Sequence, residues 1–211
     1  MNDSLLRFNW RQKYITIDAE TNSLNLTNTL PWQIAWITSE GKNITGEFER
    51  EVYWPDYQMT DQIAALNHFD RFQYEKEARD PLEVLNELWD YICNPEYIIV
   101  GQNLLGYDIF VLNAWRKKLG LPTDYSYIER VLDTKALEMA IVKESKSPPK
   151  DDLICWQHSW LTHREKGVKT SQAHMLKKYG IEHDPSLLHS AIYDVKMTFE
   201  ILKKQLWLLD I

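Results

Sequence analysis

The sequence predicts an α/β domain: a mixed five-stranded sheet, its first three strands antiparallel, flanked by helices. Three observations predict it. Short runs of β-branched and aromatic residues open the chain and are joined by a hairpin signal at Gly41. Beyond residue 80, strand-like runs alternate with longer stretches of helical apolar spacing. Asp, Pro and Gly punctuate the boundaries where caps and stops belong.

Each element follows from its residues. Lys13 to Thr21 reads as a buried strand. Pro31 to Thr38 and Asn43 to Tyr53, joined by Ser39-Glu40-Gly41-Lys42, read as a hairpin continuing from it. The aromatic and charged stretch 54–79 holds a short helix from about Thr60. Asp80-Pro81-Leu82-Glu83 opens a helix to about Cys93, with an acidic cap, a first-turn Pro and a Glu placed for a capping box. A fourth strand runs from Glu96 into Gly101, and Asn103 and Gly106 turn the chain into a helix through Val111, Leu112, Trp115 and Leu119 that stops at Gly120 and Pro122. A short strand lies near Ile128 to Leu132, with Asp133-Thr134 capping the next helix rather than binding metal. Residues 143–169 form an insertion in the single domain 1–211. Lys143 to Lys150 is a mobile loop there, and Trp156 and Trp160, four apart, pack one face of a short helix. Cys155, His158 and His163 lie close together, but one cysteine without a partner pair is a poor zinc signature. The last helix runs from about Ser190 to Leu209.

At 211 residues and 44% apolar composition the chain is long enough for one well-packed domain, and no stretch is long or apolar enough to span a membrane. No N-terminal signal segment is evident, and Cys93 and Cys155 imply a reducing compartment, the cytoplasm by default.

Four carboxylates and a histidine stand at element ends in three separated segments. Asp18 and Glu20, two apart on a strand, project from one face. Such a pair repels unless a hard divalent cation lies between them, although at a solvated strand end it can be simple surface chemistry. Asp108 falls in the first turn of its helix, where an acid also suits the helix dipole, yet its neighbours are apolar. His189 and Asp194 are five apart, about 140° around an ideal helix. They converge only if His189 precedes the helix, with Ser190 as N-cap and Asp194 one turn inside.

These segments resemble the DEDDh branch of the DnaQ-like 3'-to-5' exonucleases, which have a ribonuclease-H-like fold. The first motif's Asp-x-Glu falls on Asp18 and Glu20, the second's Asp on Asp108 with its Asn at Asn103, and the third's His-x-Ala-x-x-Asp on His189, Ala191 and Asp194. A Tyr-type member would carry Tyr where Ser190 stands. The resemblance spans about Lys13 to Leu208. It implies a metal-dependent 3'-to-5' exonuclease releasing nucleoside 5'-monophosphates, with two Mg²⁺ ions, replaceable by Mn²⁺, held by Asp18, Glu20, Asp108 and Asp194. Asp18 bridges the ions, Glu20 and Asp194 complete the nucleophile side, and Asp108 supports the leaving-group side. His189 takes the proton from the attacking water, a task suited to imidazole. The resemblance also puts Thr21, Asn22, Ser23, Leu24 and Asn103 against the terminal nucleotide, with Leu24 as a wedge. Two positions depart from the family's habit: Thr21-Asn22-Ser23-Leu24 replaces Thr-Thr-Gly-Leu, and Gln102 replaces a His.

The expected partner is nucleic acid with a free 3' end, single-stranded because the electrostatic grip is weak: the net charge is −7. Arg116-Lys117-Lys118, Lys143, Lys146, Lys150, Arg164, Lys166, Lys169 and Lys177-Lys178 form a rail for its phosphates. DNA and RNA stay open as substrates. An exoribonuclease or oligoribonuclease-type enzyme is one alternative, and a polymerase-associated binding module with vestigial hydrolysis is another.

Overall fold

The computed structural model describes residues 9–27, 29–55, 57–145 and 152–209. Its strands are β1 (Lys13–Thr21), β2 (Pro31–Glu40), β3 (Asn43–Glu51), β4 (Tyr97–Gly101) and β5 (Val131–Asp133). They form one sheet in the order β3-β2-β1-β4-β5. β1, β2 and β3 are antiparallel neighbours, and β4 and β5 join β1's other edge in parallel, so the predicted mixed sheet is present. The helices are α1 (Asp61–Leu66), α2 (Arg71–Glu77), α3 (Pro81–Ile92), α4 (Asp108–Lys118), α5 (Thr134–Val142), α6 (Leu153–Thr162), α7 (Gln172–Lys178) and α8 (Ala191–Leu209). Among the described residues, no helix is long and apolar enough to cross a membrane.

Strand alternation sorts the core into two layers. Ile15 and Ile17 face one side with Trp36 and Ile99, and pack against α3 and α4 through Leu85, Leu88, Leu112 and Trp115. Tyr14, Ala35, Ile37, Ile98 and Val100 face the other side, against Val195, Phe199, Leu202 and Leu206 of α8. Asp18 and Glu20 lie on this second face, beyond the point where apolar packing ends.

Several expectations are sharpened. The hairpin turn is two residues, Gly41 and Lys42, because β2 continues to Glu40. Gly41 has φ +56°, and a Cβ there would meet the Trp10 carbonyl oxygen at 2.5 Å, so both backbone and space require glycine. The segment from Ile128 is a 3₁₀ turn before a strand of only three residues. Arg130 accounts for the bend, since its guanidinium donates to the carbonyls of Ile92, Asn94 and Tyr97. Asp80 caps α3 as predicted, accepting from the amides of Leu82 and Glu83. Glu83 turns to Arg79 at 2.7 Å rather than closing a capping box. The helix expected from Thr60 is α1, capped by the Thr60 hydroxyl.

Within 143–169, residues 146–151 lie outside the described residues. The short helix is α6; Trp156 packs on the core as expected, but the fully inward side chains are Leu153 and Gln157. Gln157 is fully buried; its Oε1 accepts from the Asp133 amide at 2.8 Å and its Nε2 donates to the Val131 carbonyl at 2.9 Å. One side chain thereby satisfies the open edge of β5. Trp156 packs beside it, partly buried, and Trp160 lies edge-on to His163. Cys155, His158 and His163 do not form a metal-holding group among the described residues.

Candidate active site

β1 carries Asp18 and Glu20 to the end of the sheet, where its pairing with β2 shifts register after Glu20. Asp108 is the first residue of α4 and is buried, its carboxylate accepting from its own amide and that of Ala19. Asp194 sits in the first turn of α8, also buried. His189 precedes the helix with φ +68° and is exposed. Its amide donates to Asp194 Oδ2 at 3.0 Å, which folds the loop back so that the two side chains converge despite their spacing. Ligand atoms of Glu20, His189 and Asp194 lie within 4.8 Å of one another, a group that could hold a metal ion.

Ser190 stands at the N-cap position of α8, its carbonyl accepting from the Asp194 amide at 2.9 Å. Two side chains from the sheet meet the next amides: Gln33 Oε1 accepts from Ala191 N at 3.4 Å, and the Glu49 carboxylate from Ile192 N. Docking of α8 is therefore tied to the strands next to Asp18 and Glu20.

The electrostatics follow from crowding. Burial raises Asp18 well above the usual carboxylate range, and Glu20, Asp108 and Asp194 push it further. Glu20 is pushed up to about 8 by burial, then by Asp194 and Asp108. Asp108 also rises to about 8, burial outweighing its two amide bonds. Asp194 rises to about 6 by burial, held back by the His189 amide. Asp194 Oδ1 is buried with no hydrogen-bond partner among the described residues. Four converging carboxylates and an orphaned oxygen are an oxygen-donor set of the kind that divalent cations occupy.

The surrounding residues divide their work. Thr21 Oγ1 meets Tyr107 Oη at 2.8 Å, and that phenol donates to the Ser23 carbonyl at 2.7 Å. Asn22 bonds the Gln58 carbonyl and the Leu30 amide. Both side chains thus shape the loop, while Leu24 is 85% exposed and stands out from it. Asn103 has a left-handed backbone, and its Oδ1 accepts from Lys135 Nζ at 2.9 Å. A Cβ on Gly106 would meet that same oxygen at 2.5 Å. Gln102, in place of the family's His, bridges the Thr170 carbonyl and the Thr134 hydroxyl. Of the expected rail, Arg116 lies over Trp89, Lys178 pairs with Glu138 and Lys143 with Glu165, while Lys146 and Lys150 lie outside the described residues.

Sequence reasoning missed the brace formed by the α1–α2 connection. Asn67 Nδ2 donates to the Thr21 carbonyl at 3.3 Å, and the His68 ring meets the Leu188 carbonyl at 3.3 Å, holding the first and third segments together. No local pattern signals such a pairing. Tyr107, next to Asp108, could have been noticed by position.

The model of the RNase_T exonuclease family matches residues 15–202. The chain belongs to that family. The resemblance drawn from the three motifs is borne out, as is the ribonuclease-H-like architecture. Among solved structures, E. coli Exonuclease I bound to a dA16 oligonucleotide is similar, with TM-score 0.71 and 17% identity over 91% of this chain and 40% of that one. The zinc-bound form of the E. coli Exonuclease I complex with single-stranded DNA gives TM-score 0.73 and 18% identity over 94% and 42%. At such identity the likeness is one of fold, and this RNase_T member covers only 40% to 42% of that enzyme's chain. No curated protein matches the chain.

Proposed function

We propose that this chain is a metal-dependent 3'-to-5' exonuclease that releases nucleoside 5'-monophosphates from the 3' end of single-stranded DNA or RNA. The observation that carries the proposal is the convergence of Asp18, Glu20, Asp108 and Asp194, with Asp194 Oδ1 buried and unpartnered among the described residues and His189 beside it. These four carboxylates would hold two Mg²⁺ ions, with Mn²⁺ able to substitute. When bound, the ions lower the pKa of the attacking water and stabilise the leaving oxygen.

The chain's own residues do the rest. His189, exposed at the rim, accepts the proton from the water and passes it to solvent. The His189 amide, fixed on Asp194, keeps the ring over the carboxylates. The loop Thr21-Asn22-Ser23, held by Tyr107, Gln58 and Leu30, presents Leu24 to the terminal base, and Asn103, set by Lys135, meets the terminal nucleotide from the turn before Asp108. The reading takes residues 1–211 as a single exonuclease domain with 143–169 as an insertion, working in the cytoplasm, free or beside a polymerase.

The test is digestion of 5'-labelled single-stranded DNA and RNA of equal sequence with Mg²⁺, beside a chelator control and the Asp18→Ala protein. A metal-dependent ladder shortening from the 3' end, absent in the variant, is the expected result and ranks the two sugars. Binding of either oligonucleotide with no shortening would replace the enzyme with a binding module.

A further inference from the structure

Two cavities adjoin on the side of α4 away from the core, of about 830 and 480 Å³. They share Phe110 and Tyr125, rings that are 40% and 42% exposed. On α4, Phe110, Ala114 and Lys117 follow helical spacing, so one stripe of the helix presents a ring and an ammonium in line. Phe110, two residues beyond Asp108, points to the other side of α4, and what ties the groove to the candidate site is the turn leading into Asp108, whose Asn103 and Gly106 line the second cavity. The first cavity is closed opposite by Leu26 and Thr29 of the first-motif loop, and the second reaches Asn103 and Lys135.

Charge decides what fits. The chain is acidic overall, at −7, yet among the described residues no Asp or Glu lines either cavity, whereas Lys117, Lys118 and Lys135 do. Neither Lys117 nor Lys118 forms an ion pair among the described residues. Another cavity, beside β3, is lined by Glu49, Glu51 and Glu77 together with Arg50 and Arg79, and both arginines are already paired with Glu83 or Glu87. Exposed rings alternating with lysines in a groove free of carboxylates match unpaired bases joined by phosphates. A duplex cannot lay its base faces on a ring, because its bases already stack on one another.

We infer that this groove binds the single-stranded nucleic acid on the 5' side of the bond to be cut, with bases stacked on Phe110 and Tyr125 and phosphates at Lys117, Lys118 and Lys135. The inference rests on the proposed function for its direction, since it takes the 3' end to lie at the carboxylates.

The experiment measures binding without cleavage: fluorescence anisotropy of 5'-labelled oligothymidylates, from a dinucleotide to several nucleotides longer, with Ca²⁺ in place of Mg²⁺. Wild type should gain affinity with length until the groove is filled. Phe110→Ala and Tyr125→Ala should each weaken the longer oligomers by about tenfold and flatten that gain. Lys117→Gln with Lys118→Gln should make the salt dependence shallower by roughly 0.7 per lost phosphate contact. Tyr125→Phe and Phe110→Trp keep the rings and should keep the affinity. Should an alanine variant fail to fold, Phe110→Trp against Phe110→Leu makes the same comparison at similar apolar size. Unchanged affinity at every length, or the same loss for dinucleotide and longer oligomer, overturns the groove. Length-dependent binding by a protein that never shortens its ligand would keep the groove and sink the exonuclease instead.

Discussion

On the proposed function Asp194 divides its two oxygens between fold and chemistry. Oδ2 takes the His189 amide and holds a left-handed residue in place, while Oδ1 lies buried without a donor among the described residues. His189 is the more separable of the two, because its ring is exposed and its backbone makes the structural bond. His189→Ala should therefore lower turnover by roughly 10²- to 10⁴-fold, the range expected for loss of a general base, with little change in melting temperature. Single-turnover digestion beside a thermal melt checks both halves. A drop in Mn²⁺ affinity as large as the drop in rate would recast His189 as a ligand instead of a base. At this scale the sequence was largely legible. Asp-x-Glu on a strand, an acid opening a helix and His-x-Ala-x-x-Asp before another are local patterns, each readable in a few residues. Tyr107 was overlooked because its partners, Thr21, Ser23 and Thr29, lie more than seventy residues away in sequence.

At the scale of elements, β3 shows what burial without pairing does. Glu47, Glu49 and Glu51 alternate onto the α8 side of this edge strand, and each fares differently. Glu47 pairs with Lys196 and Glu49 accepts an α8 amide, but Glu51 Oε2 is buried with no partner among the described residues. Burial first, then Glu77, Glu49 and Asp70, raises Glu51 from the ordinary 4.5 to about 7. Between those values the folded state holds a proton that the unfolded state has lost, so stability falls as pH rises through that window and stays reduced above it. Glu51→Gln should stabilise the protein by on the order of 1 kcal/mol at pH 8, solvent screening included, and leave it unchanged at about pH 4. Urea melts at the two pH values decide it; equal gains at both would mean the effect is not one of charge. Capping of helices was legible where the cap is local, as at Asp80 and Asp133. The partners of the first α8 amides beyond Ser190 were not legible, because Gln33 and Glu49 come from strands over a hundred residues earlier. The same holds for α6, where Gln157 was hidden between two tryptophans that looked like the packing face.

For the whole molecule, the family and the sheet were readable because strand and helix periodicities differ, whereas the groove across Phe110 and Tyr125 exists only once α4 stands beside the first-motif loop. The carboxylate cluster predicts a global response to cations. An ion that binds the folded state alone, at a hundred times its dissociation constant, should raise stability by about 2.7 kcal/mol. Differential scanning calorimetry with and without Mn²⁺ should show that rise for wild type and its loss in Asp194→Asn. An equal shift in both proteins would place the ion elsewhere. The order of the ligands along the chain has a temporal consequence. Asp18 and Glu20 leave the ribosome well before His189 and Asp194, which lie just before and within α8, whose first amides rest on Gln33 and Glu49. A nascent chain still lacking that helix has lost two of its five site residues and the cover over one sheet face, so on the proposed function its capacity to cut the messenger being translated is acquired only after the sheet closes.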